Sequence, residues 1–335
     1  VAGVRSTQGS PIFVNRIAPT SDVMVTHLEK NGAIVYAMSN TPEFGAGANT
    51  FNEVFGRTLN PWNTARSAAG SSGGAAVALA TGTAWLAHGS DLGGSLRNPA
   101  SFCGVVGMRP SPGRVAASVH SKIDSTLGIE GPMARNVEDL ALLFDAMVGE
   151  EPADPLSLPS DGTSYLKAAR SGWKPKRVAI SRDLGISPVD PEVAEIVLKA
   201  ARQFEQAGVI VEEAQPDFHE AMECAQTLRA LSYAVGMRSL LENHRGHLKP
   251  EVIWNIEKGL ALTGAQISRA EAQRGAMFQR ARTFFETYDL LLCPTTIVPP
   301  FPVEQRYVTE CNGTKFETYV DWLLIVSAIT LVACP

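Results

Sequence analysis

The sequence predicts an α/β layered fold with a helix-rich second half. Three observations carry that expectation. Short apolar runs with strand character alternate with helical patterns along most of the chain. Residues 177–212 read as strand, helix, strand, which is the βαβ order of a parallel sheet. From 218 to 288 the pattern is almost entirely helical.

Thr20-Ser21-Asp22 caps a short helix that stops at Asn31-Gly32. Residues 33–37 then read as a buried strand. Gly74 to Ala80 reads as a helix, with Ser71 and Ser72 at its N-terminal approach. Residues 85–88 and 105–108 are short strand-like runs. Asn136 caps an amphipathic helix over 137–147 that stops at Gly149. Residues 149–175 are dense in Pro, Asp, Ser and Gly and read as a connecting loop. A strand at 177–181, a helix at 191–207 closed by Gly208, and a strand at 209–212 follow. Inside the helical stretch, Ser268 and Glu271 match a capping box. Residues 289–293 return as a strand before Pro294, and no internal repeat of fixed period is found.

The 335 residues allow one large domain or two ordinary ones. With 45% hydrophobic and 19% charged residues, the chain can bury a sizeable core. Net charge is −5 and no basic cluster occurs, which argues against nucleic acid as a direct partner. The five cysteines are widely spaced and form no C-x-x-C pair, as expected for reduced thiols in a cytoplasmic protein. The longest apolar run, 322–334, is shorter than the roughly 20 residues that span a bilayer and reads as core. The chain opens Val1-Ala2-Gly3-Val4-Arg5, with no signal peptide, and closes on an apolar, strand-like run over 331–335. It is expected to be cut at both ends.

Gly and Ser concentrate in two runs, Gly70-Ser71-Ser72-Gly73-Gly74 and Asp91-Leu92-Gly93-Gly94-Ser95-Leu96-Arg97. Glycine lets backbone N–H groups approach a ligand closely. Such groups are what acyl transfer needs to hold a developing oxyanion. Linkers share this composition, but both runs are short and flanked by apolar segments. Neither a Walker loop nor a G-x-G-x-x-G fingerprint is present, so phosphate cradling is weak. A G-x-S-x-G elbow would need glycine where Arg97 stands. Of the six histidines only His88 lies near a candidate nucleophile, on a strand-like run where a core or supporting role is expected. His244 and His247 sit at a polar helix end and read as a solvated turn rather than a metal pair. A serine nucleophile without a histidine can use a neutral lysine, reached through a second serine.

These runs, with Asn98-Pro99-Ala100 and residues 102–110, closely resemble the amidase signature family. Thr41-Pro42-Glu43-Phe44 and Gly131-Pro132-Met133-Ala134-Arg135 look like family motifs as well. The resemblance covers most of residues 1–150 and is looser beyond, where it rests on Leu292-Cys293-Pro294-Thr295. It implies a single α/β domain with a mixed central sheet and helices on both faces. Residues 1–150 would be the signature core and 176–290 a helix-rich region on the substrate side.

The resemblance also implies a Ser-Ser-Lys triad that hydrolyses a small-molecule amide without metal or cofactor. By position, Ser95 is the nucleophile and Ser71 the bridging serine. The N–H groups of Leu92, Gly93, Gly94 and Ser95 would form the oxyanion hole, and Ser72, Asp91 and Arg97 would support the site. For Asp91 and Arg97, an ion pair that holds the loop is the competing reading. A cis peptide is implied between Gly70 and Ser71. The family's lysine falls upstream of Val1, and no lysine precedes Lys30, which sits at a helix end. Met38 stands where many relatives carry a second lysine. This chain is therefore expected to lack its general base. Two other functions stay open: an amidotransferase component that passes ammonia to a partner, and a non-catalytic amide-binding protein. Homo-oligomers are compatible with all three. The pocket is expected within 120–130 and 218–290, where Ser121-Lys122-Ile123-Asp124-Ser125 gives no reading of substrate size or charge.

Overall fold

The computed structural model describes residues 1–118 and 124–335. His120 and the first part of the expected 120–130 pocket segment lie outside the described residues. Helix α1 (Val23–Lys30) starts at Asp22, whose carboxylate accepts from Met24 N–H at 3.2 Å. Met24, Val25 and Leu28 bury against Leu143, Phe144 and Met147.

Residues 33–37 do not form a strand. They run as irregular chain, with Ile34 87% exposed, and Tyr36 Oη donates to Thr83 O at 2.5 Å. Strand propensity becomes a strand only where a neighbour supplies ladder hydrogen bonds, and among the described residues none pairs with this segment.

A small hairpin, β1 (Phe51–Asn52) and β2 (Gly56–Arg57), precedes α2 (Gly73–Ala80). Strand β3 (Leu86–Asp91) delivers the second Gly/Ser run, which turns into α3 (Arg97–Cys103). Then come β4 (Val106–Gly107) and β5 (Ile129–Ala134). Strand β5 lies between β3 and β4, antiparallel to both, with Leu86 opposite Ala134 and Asp91 opposite Ile129. Helix α4 (Val137–Met147) is capped by Asn136, whose side chain accepts from Asp139 N–H at 2.8 Å. The 149–175 loop contains one short helix, α5 (Tyr165–Ala169). Ser164 caps it, and Asp145 accepts from Tyr165 N–H at 2.6 Å. Those two bonds, one of them from α4 and 20 residues away in sequence, order a turn of helix that composition alone does not reveal.

The βαβ unit forms as expected. Strand β6 (Arg177–Ile180), helix α6 (Pro191–Gln206) and strand β7 (Ile210–Glu213) make a parallel pair with its crossover. After α7 (Ala221–His244), α8 (Pro250–Leu260) and α9 (Gly264–Phe284), the chain returns as β8 (Leu290–Leu292) on the other side of β6. Strands of both polarities within an α/β architecture match the expected fold class.

Two expectations in this half change. Helix α9 begins at a capping box of Thr263 with Gln266, so Ser268 and Glu271 lie inside it. The same S/T-x-x-E/Q spacing occurs twice within two turns, and the first occurrence captures the helix start. After a second hairpin, β9 (Glu310–Cys311) with β10 (Thr314–Lys315), comes helix α10 (Leu324–Leu331), which takes in the start of the run read as strand-like. A segment apolar on every side has no periodicity to separate a buried helix from a buried strand.

Helices α7, α9 and α10 share the largest core cluster, with Phe218, Leu228, Met277, Trp322 and Ile325. Among the described residues, no helix is long and apolar enough to cross a membrane. Helix α8 packs closely on α7 because Gly259 has no side chain: a Cβ there would collide with Ala230 O. Gly259→Ala is expected to destabilise the fold by about 1–3 kcal/mol or more through overpacking. Urea unfolding checks this; unchanged stability would mean that the two helices can separate freely.

Candidate active site

The two Gly/Ser runs meet. Ser72 N–H donates to Ser95 O at 3.1 Å, and Ser72 Oγ reaches Ser90 O at 3.5 Å. Thr50 secures the first run from below. Its hydroxyl donates to Ala69 O at 2.8 Å and accepts from Gly73 N–H at 3.2 Å. The Gly70–Ser71 peptide is cis, as the resemblance implied. Ser71 is buried and lies at the approach to α2. Ser95 is half-buried, two residues before α3.

The second run is organised by one carboxylate. Asp91 is fully buried at the end of β3. Its Oδ1 accepts from Gly94 N–H at 2.9 Å and from Arg97 Nη2 at 2.8 Å. Its Oδ2 accepts from Leu96 N–H at 3.1 Å and from Arg97 Nε at 3.0 Å. Arg97 also donates to Val326 O and to Thr330 Oγ1 on α10. Arg109, likewise buried, donates to Asp91 O at 2.5 Å and to Leu127 O at 2.9 Å. Burial pushes the Asp91 pKa up. The charge and hydrogen bonds of Arg97, with Arg109 and Gly94 N–H behind them, outweigh this and hold it below the usual aspartate value.

This arrangement sorts the four candidate donors of the turn. Gly94 N–H is engaged by Asp91. The N–H groups of Leu92, Gly93 and Ser95 have no acceptor among the described residues. Gly94 adopts φ +88°, and a Cβ there would lie 2.6 Å from Asn98 Oδ1, so glycine is required on both counts.

A tight loop backs Ser71. A Cβ on Gly45 would lie 3.7 Å from Ser71 Oγ, and one on Gly47 would lie 3.1 Å from Lys249 Nζ. Lys249 Nζ donates to Ala46 O at 2.7 Å and sits over the Phe51 ring. Burial lowers its pKa to about 8. The sequence reading missed this lysine, which there is only one more cation among helices. It also missed Arg229 on α7, buried with Tyr233, Tyr319 and Asn255. No local pattern marks an arginine as interior.

Other residues singled out in the sequence lie apart from the meeting point. His88 faces Glu130 across the β3–β5 pair at 3.4 Å, with its side chain 41% exposed. Lys30 is exposed at the end of α1, and Met38 lies in the exposed 33–39 segment. His244 ends α7 and His247 lies in the turn after it, both exposed. Among the described residues, no three His, Cys, Asp or Glu side chains gather as metal ligands.

The family profile of the amidases matches residues 1–335, and the chain belongs to that family of amide hydrolases. The acylamidase of Rhodococcus erythropolis is 37% identical over 326 residues, covering 96% of this chain and 68% of that protein. A glutamyl-tRNA(Gln) amidotransferase subunit from Moorella thermoacetica is 34% identical over 328 residues, covering 91% of this chain and 67% of that protein. Among solved structures, a bacterial aryl acylamidase of the amidase signature family superposes with a TM-score of 0.91 at 26% identity, over 99% of this chain and 71% of that one.

Removing the Asp91 charge leaves Arg97 facing a neutral group inside the fold. Asp91→Asn should destabilise the protein by about 3–5 kcal/mol at neutral pH, as for other broken buried pairs. Because the folded pKa is depressed, this contribution is complete above the unfolded value of about 4 and disappears as pH falls through the folded value. Urea unfolding at stepped pH should therefore show the gap between wild type and Asp91→Asn narrowing below about pH 4. A gap independent of pH would mean that Asp91 acts through packing alone.

Proposed function

We propose that this protein hydrolyses a carboxylic amide to an acid and ammonia or an amine through an acyl-enzyme on Ser95. The observation that carries this reading is the juncture of the two serine runs. The Ser72–Ser95 backbone bond joins the run that holds Ser71 to the run that holds Ser95, beside a turn in which the N–H groups of Leu92, Gly93 and Ser95 have no acceptor among the described residues. In this reading Ser95 Oγ attacks the amide carbonyl and its proton passes through Ser71 to a base. The resemblance assigns that role to a lysine. The carbonyl oxygen becomes negative and is held by the N–H groups of Leu92, Gly93 and Ser95. Asp91 and Arg97 hold the turn from behind. The C–N bond then breaks, the leaving amine takes the proton from Ser71, and water frees the acid from Ser95. In this reading residues 1–150 supply the two serines and the turn, and 176–290 form the substrate side of a single domain.

A second reading rests on a specific similarity. The glutamyl-tRNA(Gln) amidotransferase subunit from Moorella thermoacetica matches 91% of this chain at 34% identity. On that reading the ammonia would go to a partner protein. Ammonia release by the isolated protein, followed over aliphatic, aryl and indolyl amides, separates the two.

Ser95→Ala in the full native chain should abolish amide turnover and leave the fold intact. Turnover within about tenfold of wild type would remove Ser95 from the nucleophile role. Ser71→Ala should lower turnover by about 10²-fold or more, the scale of a lost proton relay. A fluorophosphonate adduct should map to Ser95 by peptide mass spectrometry.

A further inference from the structure

The guanidinium of Arg229 lies against the turn in which the N–H groups of Leu92, Gly93 and Ser95 have no acceptor among the described residues, and the reaction described above does not use it. Nε donates to Tyr319 Oη at 3.2 Å and to Asn255 Oδ1 at 3.3 Å. Nη2 donates to Tyr319 Oη at 2.8 Å and to Tyr233 Oη at 3.3 Å. The guanidinium also contacts both phenol rings, 5.1 and 5.3 Å from their centroids. Every one of these partners is neutral. The two arginines that brace the same turn from behind are matched to a carboxylate: Arg97 and Arg109 to Asp91. Among the described residues, no carboxylate pairs with Arg229. Its charge is thus held in place without being cancelled locally.

The remaining nitrogen, Nη1, has no acceptor among the described residues. It lies 3.4 Å from where a Cβ on Gly93 would be. Between Arg229, Leu92, Gly93 and α10 there is a cavity of about 20 Å³. A space of that size takes about one water molecule. It is too small for a carboxylate carried on an acyl chain, so size argues against direct recognition of an anionic substrate. What reaches the turn is the field of the cation, in surroundings where charge is poorly screened.

We propose that Arg229 is a positioning residue that biases the Leu92–Ser95 turn toward negative charge, so that its uncancelled cation stabilises the oxyanion formed when Ser95 attacks the amide. The inference rests on the Ser95 reading given above. It gives the two tyrosines and Asn255 a defined role. They hold a buried cation by hydrogen bonds and ring faces while leaving its charge intact. A carboxylate in their place would neutralise it.

The test uses the full native chain and three variants. Arg229→Met should lower kcat by about 10- to 100-fold with KM within about threefold, since the lost interaction exists only in the transition state. Arg229→Lys should recover most of that loss. Tyr319→Phe, which keeps the cation but loosens its hold, should lower kcat less than Arg229→Met does, with KM within about threefold. Phenylboronic acid, which becomes a tetrahedral anion on a serine, should lose affinity for Arg229→Met in step with kcat. A folded Arg229→Met with wild-type kcat and boronate affinity overturns the proposal. So does Arg229→Lys falling as far as Arg229→Met, which would make the role structural. A rise in KM confined to carboxylate-bearing amides overturns it in favour of substrate recognition. Should Arg229→Met fail to fold, Arg229→Lys still decides: a loss of kcat of about 10-fold or more in that folded variant, which keeps the cation, overturns the proposal. A native chain with neither Ser95-dependent turnover nor boronate binding overturns the proposed function as well, whereas parity of Arg229→Met with wild type overturns this inference alone.

Discussion

The Asp91 carboxylate is the point from which the site is built. It leaves water completely, and burying a lone carboxylate would be expensive enough to forbid the fold. The chain offsets that by surrounding it with donors drawn from separate parts of the sequence. Two are backbone amides of the turn itself, at Gly94 and Leu96. Two more come from Arg97 at the head of α3. Arg109 reaches the same residue from the β4 side and ties in 126–127. Arg97 in turn binds α10, far away in sequence. A turn rich in glycine would otherwise be among the most mobile stretches of the chain. Satisfying one buried charge gives that turn a single shape.

Legibility in the sequence follows the range of the interactions involved. Features set by near neighbours were readable. The Asn136 cap, the stop at Gly149 and the βαβ unit over 177–213 depend on side chains within a few positions or on a simple period. The two Gly/Ser runs stood out for the same reason. Features that needed a distant partner were misread or missed. Residues 33–37 have the composition of a strand, yet no strand among the described residues sits beside them. Helix α10 is apolar on all sides, which hides its period. Arg229 and Lys249 are interior only because of tyrosines, carbonyls and loops brought from elsewhere.

The loop over 43–48 shows how such long-range support is distributed. Phe44 and Ala48 both adopt positive φ, a conformation that residues other than Gly, Asn and Asp mostly avoid. The second half of the chain holds them there. Tyr233 Oη donates to Phe44 O, Lys249 N–H to Glu43, and Lys249 Nζ to Ala46 O. Arg306 grips Glu251 with two hydrogen bonds and lies, with Lys249, over Phe51. The signature-like first half is thus shaped by helices that carry no recognisable motif. A reading confined to motifs sees the chemistry and misses what aligns it.

The bond from Ser72 N–H to Ser95 O also bears on how the site moves. Fluctuations of α2 relative to α3 would ordinarily separate residues at their heads. Here the two heads are stitched through the backbone, next to the hydroxyls rather than through them. Displacements of one serine therefore carry the other along, so that the two share a direction of motion instead of adding independent errors. The stitch acts as a local ruler, and it leaves both hydroxyls free for other work.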